Sequence, residues 1–262
     1  MIFFIFTIIF LAIIVLLYMW KEAFRNVVVF DHVYVPSLPS ENPVRLFFIS
    51  DIHRRVIHPS IIQKMKDNVD VIIIGGDLAE KGVPLERIQH NVRKLSSIAP
   101  VFFVWGNNDY EVDVLELKKI LMEENVTILK NTSITFPLTG GKRIRLIGVD
   151  DLSNGNADKN LAFKEVVPTD FNILISHNPY FIKKLQTTDP IHLMLSGHTH
   201  GGQIRLFGLG LYEKGGWFQH HQTKYFVSNG YGTTALPLRF GAKAETHLIT
   251  ISNRKKPEGI SI

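Results

Sequence analysis

Ser196-Gly197-His198-Thr199-His200-Gly201-Gly202-Gln203 follows an apolar run at 191–195. Two histidines one residue apart in a glycine-flanked turn are poor packing material. They are good metal ligands, because alternate residues of an extended segment project to the same side. Four more polar clusters also follow apolar, strand-like runs: Asp51-Ile52-His53, Gly75-Gly76-Asp77, Gly106-Asn107-Asn108-Asp109 and Ser176-His177-Asn178. Polar clusters at successive strand ends are the layout of a site built at the carboxyl edge of a sheet.

Outward from these clusters, the first half alternates strands and helices. Residues 45–49, 71–74 and 101–105 read as strands. Residues 59–68, 85–98 and 112–124 read as helices, the second with Leu85, Ile88, Val92 and Leu95 at helical spacing. This alternation predicts a sheet covered on both faces. The second half is richer in strands, expected at 143–149, 171–175, 191–195, 203–206, 225–228 and 246–251, with turns such as Ser153-Asn154-Gly155-Asn156. The expected fold is α/β, two mixed β-sheets face to face with helices outside.

Residues 2–20 are apolar except for Thr7, and Lys21 and Arg25 follow. Such a run at about 1.5 Å per residue comes close to a bilayer core of about 30 Å. An uncleaved anchor is expected rather than a cleaved signal. No basic residue precedes the run, and Tyr18-Met19-Trp20-Lys21 is too bulky for a cleavage site. The positive residues after the span place the catalytic part in the cytoplasm. The expected organisation is an anchor at 1–21, a juxtamembrane segment and linker at 22–43, a catalytic domain at 44–253 and a tail at 254–262. Residues 27–35 read as a β-rich approach, and Arg254-Lys255-Lys256 as a solvated run.

The chain has no cysteine, which excludes disulfides, thiolate metal sites and a cysteine nucleophile. A net charge of +5 suits an anionic substrate or an anionic membrane surface. No basic-aromatic stripe supports nucleic acid as a partner.

Hydrolysis of a phosphoester needs phosphoryl charge offset, a water made nucleophilic at neutral pH and a stabilised leaving oxygen. Two divalent cations about 3.5–4 Å apart serve all three needs. The candidate ligands are Asp51, His53, Asp77, Asn107, His177, His198 and His200. Imidazole, carboxylate and amide oxygen together suit manganese, iron or zinc better than calcium.

In this order the clusters resemble the calcineurin-like metallophosphoesterase superfamily, whose pattern runs D-x-H, G-D, G-N-H-D, an isolated H and G-H-x-H. The continuation Gly201-Gly202-Gln203, with Leu236-Pro237-Leu238-Arg239, resembles a membrane-associated bacterial branch. The resemblance implies a four-layer αββα sandwich and two divalent ions. It implies that Asp51, His53 and His200 hold the first metal, that Asn107, His177 and His198 hold the second, and that Asp77 bridges both. It further implies in-line attack by a hydroxide between them. The substrate would be a phosphorylated small molecule or a lipid, and the resemblance allows a pyrophosphatase acting on a UDP-diacylglucosamine-type molecule.

The departure is Asn108, which stands where the family carries the histidine implied to protonate the leaving group. Asparagine has no proton to give up. The expected preference is therefore for acidic leaving groups, such as those of phosphoanhydrides. Asp109 orients Asn108 or a local turn. One of Arg54 and Arg55 could reach a substrate phosphate, the other being an exposed charge. Trp217 and Phe218 read as a glycine-flanked loop, and His220-His221 as an exposed loop pair. The competing readings are a nuclease or cyclic-nucleotide phosphodiesterase, and a metal-binding scaffold without turnover.

Overall fold

The computed structural model describes residues 1–138 and 143–254, so Lys255 and Lys256 of the tail lie outside the described residues. Two mixed six-stranded sheets pack face to face. The first runs β1 (Val28–Tyr34), β12 (Thr246–Ser252), β2 (Val44–Ile49), β3 (Val71–Ile74), β4 (Val101–Phe103), β5 (Thr127–Ile128). The second runs β10 (Gly216–His220), β11 (Thr223–Val227), β9 (Leu193–Ser196), β8 (Phe171–Ile175), β7 (Arg143–Gly148), β6 (Thr132–Pro137).

Side-chain alternation along the central strands creates the layers. Leu46, Phe48 and Ile73 point between the sheets and meet Ile173, Ile175, Leu193, Leu195 and Phe226. Phe47, Ile49, Ile72 and Ile74 point the other way, onto Ile61 and Met65 of α2 (Pro59–Met65), Ile88 and Val92 of α3 (Leu85–Ser96), and Leu117 and Leu121 of α4 (Val114–Glu123). Beyond the second sheet, Ile147, Leu174 and Met194 meet Ala162 of α5 (Lys159–Ala162) and Phe181 of a 3-10 turn, Pro179–Lys184. This is the expected αββα sandwich, with a thin outer layer on the second side. Phe48 is wholly buried between the sheets, and its truncation to alanine should cost about 3–5 kcal/mol.

Register brings the loops together. Ile49 pairs with Ile74, Ile74 with Phe103, and Ile175 with Leu195, so adjacent parallel strands end almost level. Each then releases its loop at the same sheet edge.

Several elements depart from the sequence reading. Helix α2 stops at Met65, short of residue 68, where Asp67 turns left-handed with φ 64°. Residues 203–206 form no strand, because Gln203 (φ 49°) and Phe207 (φ 52°) interrupt the extended backbone. Trp217 and Phe218 lie in β10 rather than in a loop, Trp217 packing at a tilt against Phe226 and donating its Nε1–H to Asp31. The β-rich approach expected at 27–35 is strand β1, which extends the first sheet by pairing parallel to β12.

Helix α1 (Ile2–Ala23) is long and apolar enough to cross a membrane by length and composition. Only its last turns touch the domain, burying Met19, Glu22 and Ala23. Terminal helix carbonyls need partners outside the helix. Arg55 supplies them, reaching the oxygens of Ala23 at 3.3 Å, Phe24 at 3.2 Å and Arg25 at 3.0 Å while its guanidinium lies 3.6 Å over the Tyr231 ring. The Arg239 N–H donates to the Met19 carbonyl at 3.0 Å. Arg55 is thus a buried clamp on α1 rather than a phosphate contact, and the exposed Arg54 pairs with Glu80.

Candidate metal centre

All seven expected ligands lie in loops that leave the carboxyl ends of strands. Asp51 and His53 follow β2, Asp77 follows β3, Asn107 follows β4, His177 follows β8, and His198 and His200 follow β9. Both sheets contribute. Asp51 (φ 54°), His53 (51°), Asp77 (50°), His198 (72°) and His200 (49°) occupy the left-handed region, which non-glycine residues seldom adopt. Hydrogen bonds between loops hold them there. Asp51 N–H donates to Gly76 O, His53 N–H to Asp77 O and Gly197 N–H to His177 O. Gly76 has φ 87°, and a Cβ on it would collide with the His177 ring.

The side chains converge. Ligand atoms of Asp51, His53 and His200 all lie within 4.8 Å of one another, as do those of Asp51, Asp77 and His177. Asp77 Oδ2 stands 3.1 Å from His177 Nε2 and 3.7 Å from His53 Nε2. His53 and His200 stack with ring centroids 5.1 Å apart, and His198 meets His177 edge-on at 5.1 Å. The His198 N–H donates to Asp51 Oδ1 at 3.0 Å.

The hydrogen bonding fits cations. His177 Nδ1 lies 2.8 Å from the Gly75 carbonyl. In the neutral ring that contact puts the proton on Nδ1, leaving an Nε2 lone pair facing an anionic oxygen. A cation resolves that opposition. Asn107 donates its Nδ2–H to Asn108 Oδ1 at 2.9 Å, while its own Oδ1 is buried without a hydrogen-bond partner, as is Asp51 Oδ2. Unpaired buried oxygens are unfavourable in a folded protein unless another group meets them.

Electrostatics agree. Burial opposes ionisation of Asp77, yet His177 and His53 beside it hold its carboxyl well below the usual range. Burial would lower His177, but Asp77 and Asp51 push it up to about 10. The same carboxylate field that holds a proton there would hold a metal. Burial pulls His200 down to about 3 against the opposing charge of Asp51, and His53 and Arg239 add to the fall, so it is neutral at physiological pH.

Two further residues escaped the sequence reading. Glu80 places Oε2 3.0 Å from His53 Nδ1 and so fixes that ring. Its signal was spacing, a second carboxylate three residues after Asp77. Arg239 is wholly buried and donates to the carbonyls of Asn229 (2.6 Å), Gly232 (2.6 Å), Ala242 (3.1 Å) and His200 (3.3 Å). It closes the loop that packs on Asp51.

Asn108 lines a pocket of about 410 Å³ together with Asp77, His198 and His200, and Ile204, Leu211, Tyr212 and Leu236 form its apolar wall. The Asn108 Nδ2–H donates to Glu111 at 2.8 Å. Asp109 is buried and accepts from the N–H groups of Ala79 and Gly106, both at 2.9 Å, so it ties the turn's backbone. Burial and the charge of Asp77 push its pKa up to about 7.

A two-sheet sandwich carrying carboxylate and imidazole ligands at one edge of both sheets defines a metal-dependent phosphoester hydrolase. The calcineurin-like phosphoesterase family matches residues 44–202, and the chain belongs to it. Bacillus subtilis YpbG is 44% identical over 217 residues, 82% of this chain and 83% of that one. The Bos taurus transmembrane protein with metallophosphoesterase domain is 32% identical over 241 residues, 80% of this chain and 54% of that one. Among solved structures, the NAD nucleotidase of Haemophilus influenzae superposes with a TM-score of 0.50 at 15% identity, over 72% of this chain and 45% of that one. The chain thus spans about half of that enzyme's length. Members of the family use divalent metals and act on phosphorylated substrates.

Proposed function

We propose that the chain is a membrane-anchored hydrolase with a binuclear centre of manganese, iron or zinc, acting on lipid-linked or nucleotide diphosphates. The observation that carries the reading is Asp77 Oδ2, which faces an imidazole of each expected ligand set, His177 at 3.1 Å and His53 at 3.7 Å. Asp51, His53 and His200 would hold one ion, Asn107, His177 and His198 the other, with Asp77 between. When bound, such ions supply charge neutralisation, acidification of water and stabilisation of the leaving oxygen. The chain's own residues do the rest. Glu80 orients His53, Gly75 orients His177, and Asn108, held by Glu111 and Asn107, lines the pocket.

Asn108 cannot protonate a leaving oxygen. Loss of a general acid slows reactions with basic leaving groups by about 10²–10⁴-fold. Acidic leaving groups escape that penalty, which supports a phosphoanhydride substrate. Helix α1 supports an anchor, and Lys21 and Arg25 behind it support a cytoplasmic catalytic domain. The test compares kcat/KM on a nucleoside diphosphate-linked substrate with that on a dialkyl phosphodiester. A ratio of about 10² or more is expected, and equal values reject the assignment.

A further inference from the structure

We propose that the segment 204–211 is a bilayer-inserting hairpin, and that the pocket therefore receives a membrane-resident amphiphile. Its phosphate would reach the metal ligands while its chain stays in lipid. This deepens the proposed function and rests on α1 being the anchor.

The hairpin is tight and built to present apolar side chains. Leu206 and Leu209 exchange both N–H···O bonds at 2.9 Å, and Phe207 (φ 52°) and Gly208 (φ 82°) occupy the left-handed turn between them. The Arg205 guanidinium bonds the carbonyls of Gly201, Gly208 and Tyr212, which fixes the hairpin on its base. Phe207 is fully exposed at 101%, Leu211 is 91% exposed and Leu209 79%. Isolated exposed leucines are ordinary. An ordered tip made almost wholly of such residues marks an interaction surface.

Lipid is the occupant because the hairpin shares a joint with the anchor. Arg205 N–H donates to Phe240 O at 2.7 Å, and Phe240 N–H donates to Gln203 O at 2.9 Å. Phe240 also packs edge-on against Tyr18 of α1 at 6.0 Å, and the neighbouring Arg239 N–H holds the Met19 carbonyl. One short segment therefore grips both the hairpin base and the C-terminal end of the apolar helix. The pocket wall joins the same surface, since Ile204 and Leu211 line it together with His198 and His200. A substrate with a phosphate at one end and an alkyl chain at the other matches that mixture of imidazole and apolar lining.

The absence of native cysteine makes a clean test possible. Full-length Phe207→Cys carries a single thiol for an environment-sensitive nitrobenzoxadiazole label. The protein is reconstituted in phosphatidylethanolamine–phosphatidylglycerol vesicles containing doxyl-labelled acyl chains. Emission from position 207 should shift to the blue and be quenched. The same label on Leu115→Cys, an exposed leucine of α4, should remain unquenched. A label at 207 that stays aqueous, or that is shielded only by self-association at high protein concentration, overturns the proposal.

A second measurement uses the triple variant Leu206→Ser, Phe207→Ser and Leu209→Ser. Turnover of soluble bis(p-nitrophenyl) phosphate should stay within twofold of the parent, which reports an intact centre. Activity on a vesicle-borne lipid diphosphate should fall at least tenfold, since each apolar side chain removed from lipid weakens partitioning by about tenfold or more. Unchanged activity on the vesicle substrate overturns the coupling of hairpin to substrate. Quenching at 207 with no hydrolysis of any lipid diphosphate rejects the substrate assignment and leaves the insertion standing.

Discussion

Glu80→Gln probes how far the electrostatics of the centre extend past its ligands. Glu80 is buried, and its Oε2 lies 3.0 Å from His53 Nδ1. The His53 imidazole beside it outweighs burial and holds the Glu80 carboxyl below its ordinary range, so it is anionic at neutral pH. Glutamine keeps an acceptor of the same shape and removes the charge. Partners of this kind contribute about 10–100-fold to metal affinity, or about 1.4–2.7 kcal/mol. Arg54 sits on the other oxygen of Glu80 but its side chain is 70% exposed, so that ion pair contributes under about 1 kcal/mol. The assay is the Mn²⁺ concentration for half-maximal hydrolysis of an aryl phosphodiester, with bound metal counted by calorimetry. Glu80→Gln should raise that concentration 10–100-fold, and Arg54→Ala by less than about fivefold. A Glu80→Gln constant within twofold of the parent refutes the reasoning, as does an equal shift in both variants.

Removal of divalent metal by chelation should lower the melting temperature by about 5–10 °C, since saturation at about 100 times Kd stabilises a fold by about 2.7 kcal/mol; unchanged scanning calorimetry would contradict metal binding by the native state. Arg239→Met should destabilise the fold by about 3–5 kcal/mol in urea titrations, because several buried carbonyls lose their donor, and Arg239→Lys should not restore it, as one ammonium lacks the planar reach. His247 lies 2.7 Å from Asp31 and 3.3 Å from Glu245, and although burial would lower its pKa these carboxylates raise it. Its contribution is then complete below the unfolded-state value of about 6.5 and is lost as pH rises through the higher folded value, so the stability gap between the parent and His247→Gln should narrow on the alkaline side; a gap that widens with pH reverses the sign and rejects the account.

The central strands were legible because they are buried on both faces, which leaves continuous apolar runs such as Val71-Ile72-Ile73-Ile74. The ligands were legible for a related reason, since each follows such a run and breaks it with a polar residue. Strands β6 and β10 were not. They are edge strands with partly exposed residues, and the glycines before Trp217 and the His220-His221 pair after it resemble loop chemistry. Arg55 was read with Arg54 as a phosphate contact or an exposed charge, and Arg239 as part of a motif. Their role depends on carbonyls brought in from distant loops, as when Arg55 meets Tyr231 O and Arg239 meets His200 O, and no local spacing encodes that. Glu80 stood in plain view after Asp77. Its meaning came only with the parallel pairing of β2 and β3, which sets it beside His53.

The backbone of the ligand loops explains why so much of the chain serves one sheet edge. Left-handed residues other than glycine cost about 1–2 kcal/mol each, least for Asp, Asn and His. Asp51, His53, Asp77, His198 and His200 all adopt that conformation, so their combined strain reaches about 5 kcal/mol or more, comparable with the whole stability of many domains. It persists only if the surrounding contacts over-determine it. Here the Asp77 carbonyl accepts from both Ile52 and His53, the Asp77 carboxylate accepts from Asn108 N–H at 2.8 Å, and the Asp51 carboxylate accepts from His198 N–H at 3.0 Å. These contacts use the backbone and the second faces of the ligand groups, and they leave Asp51 Oδ2 and Asn107 Oδ1 free of hydrogen-bond partners. The protein's own contacts therefore over-determine the cage, and chelation should lower stability without unfolding the sandwich.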